Sequence, residues 1–362
     1  MSEAVTQSSS RFVDETPLAL IGRWQILKDG EPQLRARDAA TRLGVSEAEL
    51  VGARCGDGVK RLGGPWGDLI KALPGLETVM VLTRNEHAVH EKVGTFDKVS
   101  VFKSMGLVLD ENIDLRLFLD HWHYGYAVTE DTRSGIRQSL QFFDQDGTAI
   151  HKIYLRDDSN LHAYEVLVDR HLDADQAPGQ QVTALPPKKA DRPDREIDRA
   201  LLHERWRGLQ DVHDFHAMLH EVGAGRIQAF RLVGDEFAYR VDPNTFRLAL
   251  EESAGTEAPI MIFAGNPGAI QIHTGPVYKL RELGPWFNVL DDGFNLHLRA
   301  DHIAEAWVIR KPTRDGIVTS LEVFADDECQ IAWMFGKRKP GEAELEGWRD
   351  LVASFAPLGE PA

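Results

Sequence analysis

"TRSGIRQSLQFF" (residues 132–143) and "TRDGIVTSLEVF" (residues 313–324) stand 181 positions apart and share seven of twelve residues. At the same offset, with no gap, residues 78–154 lie on residues 259–335 with 21 identities in 77 positions. Average residue usage gives about five by chance. A second conserved-looking block, "VLDENIDLRL" (108–117) over "VLDDGFNLHL" (289–298), falls inside the same span. The chain therefore carries one fold unit twice.

Each copy reads as antiparallel sheet. "TVMVLT" and "SLQFFDQDGTAIHKIYL" in the first, "PIMIFA" and "SLEVFADDECQIAWMF" in the second, are short apolar or alternating runs broken by Asp, Gly and Asn. "DQDG" at 144–147 predicts a hairpin, because Asp and Gly tolerate the left-handed backbone of tight turns. Helical periodicity comes first in both halves: "TPLALIGRWQIL" and "RDAATRLGVSEAELVGARC", then "REIDRALLHERWRGLQDVHDFHAMLHEVG". Ser46 with Glu49 makes a capping box. The stretch "DADQAPGQQVTALPPKKADRPDRE" (173–196) is rich in Pro, Gln and charge and reads as a linker. The expected organisation is a first repeat over 1–175, a linker over 176–196 and a second repeat over 197–362.

The bulk composition excludes several classes. The 362 residues include 41 Lys and Arg against 57 Asp and Glu, a net charge of −16, which repels nucleic-acid phosphates and anionic lipid over most of the surface. Bulk nucleic-acid binding is not expected. Cys55 and Cys329, the two cysteines, cannot build a disulfide framework or a four-thiolate zinc site, which fits a reducing cytoplasm. Residues 1–16 carry no apolar run of signal-peptide length, and no run elsewhere could span a bilayer, so a cytoplasmic protein that is not membrane-embedded is expected.

Divergence between the copies points to where chemistry lies. His90 is matched by Gln271, Arg116 by His297 and Lys311 by Glu130. Laying "GRWQIL" (22–27) on "ERWRGL" (204–209) puts Glu31 opposite His213, so the first copy lacks the histidines of "QDVHDFHAMLH" (210–220). His213, His216 and His220, spaced three and then four, share one face if the segment is helical. Such a row also arises on a partly buried, hydrogen-bonded helix, since histidine sits at intermediate burial. Zinc is a further reading, but no cysteine or HExxH motif converges on the row. "HAVH" (87–90) lies on a predicted strand, where residues three apart face opposite ways, so His87 and His90 are poor joint chelators. His121 and His123 in "DHWHYGY" could share a strand face, but one pair is weak evidence.

"RNEHAVHEKVGTF" (84–96), "DLRLFLDHW" (114–122), "DVHDFHAML" (211–219) and "AEAWVIRKPTRDGIVTSLEVFA" (304–325) resemble the bacterial cytoplasmic haem-utilisation proteins of the HemS/ChuS/PhuS type, also called haemin-degrading factors. The resemblance runs from about residue 20 to 355, includes the duplication, and through His216 leans toward the PhuS branch. It implies an α+β fold with internal duplication: two large antiparallel β-sheets, each preceded and flanked by α-helices. It also implies one haem (haem b, iron protoporphyrin IX) beside the C-terminal half. The family's proximal ligand, the histidine of its DVH motif, falls on His213, and the arginine of its DLR motif falls on Arg116. Imidazole suits a haem iron. A guanidinium has no lone pair to offer, so Arg116 is expected to act through a distal water or hydroxide and the porphyrin edge.

Matched to the family's motifs, Lys311, Arg226 and Arg338 are candidate partners of the haem propionates, each with a solvated surface charge as its alternative. Where relatives often carry Gln and Tyr, this chain has Trp333 and Phe335, an apolar wall to which Phe263 would add if it is not simple core. The resemblance leaves two functions open. One is a carrier in iron acquisition, taking haem from an inner-membrane importer to a haem oxygenase. The other is an enzyme that opens the porphyrin ring with an external reductant. No GxGxxG or other flavin or nicotinamide motif supplies electrons, and His216, as a second ligand on the helix, favours the carrier by offering a route for release.

Overall fold

The structure, a computed structural model, describes residues 16–132, 135–339 and 341–359. Its strands order into two nine-stranded antiparallel sheets. The first runs Val59–Leu62, Tyr124–Thr132, Gly135–Phe143, Ala149–Ser159, Glu77–Arg84, Ala88–Gly94, Phe294–Arg299, Trp286–Asp291 and Leu280–Leu283. The second runs Ala238–Val241, Glu305–Thr313, Gly316–Phe324, Gln330–Gly336, Ile260–Asn266, Ala269–Gly275, Asp114–Phe118, Met105–Leu109 and Val99–Phe102. Each is an α+β sheet of the expected kind, built in the same strand order from equivalent pieces of the two repeats.

The duplication is visible in reciprocal bonds between equivalent positions. Asn85 Nδ2 donates to the Gly265 carbonyl at 3.1 Å, and Asn266 Nδ2 donates to the Arg84 carbonyl at 2.8 Å. Gln271 Nε2 lies 3.0 Å from His90 Nδ1, and Lys92 Nζ lies 3.3 Å from His273 Nδ1. The last two pairs join a residue to its own counterpart 181 positions on, and the first two are mirror images, each asparagine reaching the residue before its counterpart.

Local signals behave as the chemistry demands. Ser46 Oγ accepts from Glu49 N–H at 3.2 Å while Glu49 Oε2 accepts from Ser46 N–H at 2.7 Å, a complete capping box. The "DQDG" turn closes through Asp144 N–H to the Thr148 carbonyl, with Gly147 at φ +81°. Trp24 and Trp206, equivalent residues of the leading helices, are both buried.

The chain forms two compact units, each assembled from several segments. Unit 1 comprises residues 1–79, 101–105 and 118–186; unit 2 comprises 80–100, 106–117 and 187–362. Strand segments of the first repeat, including Arg116, belong to the unit that contains the second. Sheet registry explains it, since Asp114–Phe118 pairs with Ala269–Gly275 and Ala88–Gly94 with Phe294–Arg299. The linker is also better held than its composition suggests. In unit 1, Arg61 donates to the carbonyls of Asp175 (3.0 Å), Ala177 (3.0 Å) and Gly179 (2.6 Å). In unit 2, Arg192 binds the Gly223 carbonyl at 3.0 Å and accepts at its own carbonyl from Gln228 at 2.6 Å.

Unit 2 has two apolar cores on opposite faces of the second sheet. Strand alternation sends Val308, Leu321, Val323, Met334 and Ile262 to one face, where they meet Phe287, Val289, Leu296 and Leu298 of the other sheet. Trp307, Ile309 and Phe324 face the other way and receive the helices Arg199–Arg207, Asp214–Val222 and Arg226–Val233 through Trp206, Phe215, Met218 and Phe230. The second face sets the candidate site. Among the described residues, no helix is long and apolar enough to cross a membrane.

Candidate functional site

The predicted helix over 195–223 breaks between Arg207 and Asp214, and the break places His213. Asp211 Oδ1 accepts the His213 backbone N–H at 2.9 Å, an Asx turn that halts the chain before the next helix. His213 is therefore the N-cap of Asp214–Val222, a correction to the expectation that it lies within the helix body. Its side chain is 84% exposed. The same carboxylate oxygen lies 2.6 Å from His213 Nδ1, which assigns the ring proton to Nδ1 and leaves the Nε2 lone pair facing outward. The backbone N–H of His213 is the main reason the Asp211 carboxyl is held below its usual range. His216 and His220 lie on the helix proper, both exposed.

Beside this helix the second sheet presents one face whose membership follows from register. Ile270 pairs with both Arg116 and Gly265, Phe263 pairs with Trp333, Met261 with Phe335, Trp333 with Glu322, and Lys311 with Val318. Partners opposite one another share a face. Arg116, Phe263, Trp333, Phe335, Glu322 and Lys311 thus look the same way. Phe263 stacks on Trp333 at 5.4 Å and meets Phe335 edge-on at 5.3 Å, and all three are only half-buried. The apolar wall expected from Trp333 and Phe335 exists, and Phe263 belongs to it rather than to the core.

Arg116 is tethered. Its guanidinium pairs with Asp114, two residues away on the same face, and donates to the Leu115 carbonyl at 3.2 Å. Burial raises the Asp114 carboxyl pKa, with Arg116 pulling against it. The matching residue, His297, lies on the other sheet with Nδ1 2.7 Å from Asn288 Oδ1.

Lys311 and Arg226 sit differently from solvated cations: both are committed to Glu322, at 3.3 Å and 2.7 Å, and Glu322 is fully buried. Burial alone would raise the Glu322 carboxyl, but Arg226 and Lys311 outweigh it and hold it well below the usual range. Burial pushes the Lys311 ammonium down to about 8. Both cations also approach the Phe215 ring, Lys311 Nζ at 4.4 Å and Arg226 Cζ at 5.2 Å from its centroid. Phe215 is two residues past His213, so this cluster clamps the start of the histidine helix to the sheet. Arg338 lies 3.5 Å from Asp315.

A family model for the Haemin-degrading HemS.ChuX domain matches residues 44–171 and 223–355. The chain belongs to the HemS/ChuX family. Seven of the nine candidate residues fall inside the matched segments, and His213 and His216 lie between them. The hemin transport protein HmuS of Yersinia pestis is 41% identical over 327 residues, spanning 90% of this chain and 94% of that one. Holo-PhuS, a heme-binding protein from Pseudomonas aeruginosa, superimposes with a TM-score of 0.93 at 47% identity, covering 95% of this chain and all of the other. ChuS, the heme degrading enzyme of Escherichia coli O157:H7, superimposes with a TM-score of 0.87 at 39% identity over 94% of this chain and all of that one.

Asp211, Asp114, Glu322 and Phe215 contact the candidate residues, and the sequence reading does not single them out. Asp211 had a usable signal, an Asp two residues before a His ahead of a helix. Glu322 had none, because its importance depends on a register between distant strands.

Proposed function

We propose that this protein binds haem b in the bacterial cytoplasm with His213 as axial ligand, and hands it intact to a haem oxygenase acceptor after import. The observation that carries the reading is the His213 ring itself: 84% exposed, with Nδ1 engaged by Asp211 and the Nε2 lone pair outward. Bound haem would supply an iron that takes such an imidazole. Phe263, Trp333 and Phe335 offer the flat apolar surface a porphyrin plane needs, and Arg116 offers hydrogen-bond donors but no lone pair. Arg338 can reach a propionate by leaving Asp315; Lys311 and Arg226 can do so only at the expense of Glu322. His216, one turn beyond His213, gives the carrier a second imidazole through which the ligand can be released.

The relatives described as hemin transport and heme-binding proteins support the carrier. Ring opening is the second reading, favoured by a relative at 38% identity described as a heme oxygenase. The deciding experiment mixes haem-loaded protein with apo haem oxygenase and, separately, with ascorbate and catalase. Rapid movement of the Soret band to the oxygenase, with little bilin product from the protein alone, is expected. Efficient ring opening by the isolated protein despite catalase makes it an enzyme.

A further inference from the structure

Unit 2 contains a second cluster of ligand-type side chains outside the set described above. One ligand atom each of His87, Asp327 and Cys329 lies within 4.8 Å of the other two. They come from two distant segments, and a third segment brings His302, whose Nδ1 is 2.8 Å from His87 Nδ1 with the rings nearly perpendicular at 77°.

The segments are fixed to each other by backbone bonds. Asn85 Oδ1 accepts the His87 N–H at 2.9 Å, while Asn85 Nδ2 donates to the Ile331 carbonyl at 2.8 Å, tying the His87 turn to the strand that follows Cys329. The Arg299 N–H donates to the His87 carbonyl at 2.8 Å, anchoring the segment that leads to His302. Cys329 N–H donates to Asp327 Oδ1 at 2.8 Å, which sets the carboxylate beside the thiol and leaves its second oxygen available. Little rearrangement is needed to close these ligand atoms to the spacing of one coordination sphere.

The two imidazoles define their own tautomers. At 2.8 Å, one Nδ1 carries the proton and the other accepts it. Asp301 Oδ2, 3.9 Å from His302 Nε2, favours the His302 proton at Nε2, so His302 accepts at Nδ1 and His87 donates. The His87 lone pair is then at Nε2. A ligating histidine whose other nitrogen donates to an orienting acceptor is the usual arrangement at metal centres.

We infer that His87, Asp327 and Cys329 form a binding site for a divalent transition cation of the zinc class, with His302 as the positioning residue for His87. The nitrogen, oxygen and sulfur donors suit a four-coordinate zinc-class ion, water filling the fourth place. On binding, the Cys329 S–H bond breaks, a metal–sulfur bond forms and the proton leaves to solvent. Lys188, 3.4 Å from the Asp327 carbonyl, is a nearby cation the site must tolerate, and it is exposed enough to swing away.

The test titrates Co²⁺ into the reduced, full-length, haem-free protein and follows the near-ultraviolet thiolate-to-cobalt charge-transfer band. That band separates this site from cation capture by the exposed histidines at 213, 216 and 220, which have no thiol. One equivalent of Co²⁺ should raise it and Zn²⁺ should displace it. Cys329→Ser should abolish it, and Asp327→Asn, which keeps the turn's hydrogen bond, should weaken binding. His302→Ala should weaken binding roughly 10- to 100-fold while the band remains. Absence of the band in correctly folded wild type, or its persistence in Cys329→Ser, overturns the inference.

Discussion

Asp211 Oδ1 accepts from both the backbone N–H and the ring Nδ1 of His213, at 2.9 Å and 2.6 Å. One carboxylate thus ends the preceding loop, starts the next helix and chooses the imidazole tautomer. Removing it leaves the ring free to rotate and to protonate the wrong nitrogen. Asp211→Ala should lower haemin affinity roughly 10- to 100-fold, whereas Asp211→Asn, which can still accept at Oδ1, should lose less. Equal losses in both variants, followed by Soret titration, contradict the tautomer argument.

Glu322 should be the most costly single charge to remove near the site. Glu322→Gln leaves buried Lys311 beside half-buried Arg226 with no carboxylate between them, a defect of about 3–5 kcal/mol. Urea denaturation should report that loss. Haemin affinity should fall with it, because Phe215 loses the cluster that holds it. The folded pKa of Glu322 lies below its unfolded value, so its contribution is fully present above the unfolded carboxylate range and fades as pH falls toward about 2. The difference between wild type and Glu322→Gln should therefore shrink in acid.

Acid sensitivity should begin earlier than the carboxylates dictate. Burial lowers His151 and His273 to about 3 and lowers His90 as well. The unfolded chain takes up protons at these rings near pH 6.5 while the folded chain does not, so stability falls as pH drops from about 6.5 toward 3. Urea midpoints measured across that range should decline steadily, and His151→Leu should flatten the decline. A flat wild-type profile between pH 6.5 and 4 contradicts the assignment of neutral buried histidines.

Arg116→Lys keeps the charge and loses the planar guanidinium, whose Nη1 donates to both Asp114 and the Leu115 carbonyl. Loss of a charged hydrogen bond of about 1.5–3 kcal/mol corresponds to roughly a ten- to hundredfold faster haem loss to a scavenger globin. Trp333→Ala should act separately, lowering affinity through lost contact area without altering any pH-dependent spectral transition that Arg116→Ala abolishes.

The repeat made the fold legible: strand alternation in "SLQFF" and "SLEVF", and an ungapped offset of 181, demand the same sheet twice. They could not show that Asp114–Phe118 pairs with Ala269–Gly275 and so carries Arg116 into the other unit, because edge partners are chosen by long-range register. His213 and Arg116 were found through motif resemblance, and the aromatic wall through departure from it. Lys311 and Arg226 read from sequence as propionate partners, with a solvated surface charge as the alternative, because nothing local in "RKPT" or "GAGR" reveals a buried glutamate 11 and 96 residues away in the chain. Strand alternation argued against His87 and His90 as joint chelators, but no local pattern shows that His87 meets His302, 215 residues distant.

The central claim is that His213 ligates haem, and the most direct measurement is haemin titration into wild type, His213→Ala and the His213→Ala/His216→Ala double variant, monitored at the Soret and charge-transfer bands. The account predicts an altered spectrum and weaker binding in His213→Ala, partial retention through His216, and loss of imidazole-type spectra in the double variant. Spectra and affinity unchanged from wild type in the double variant would contradict it.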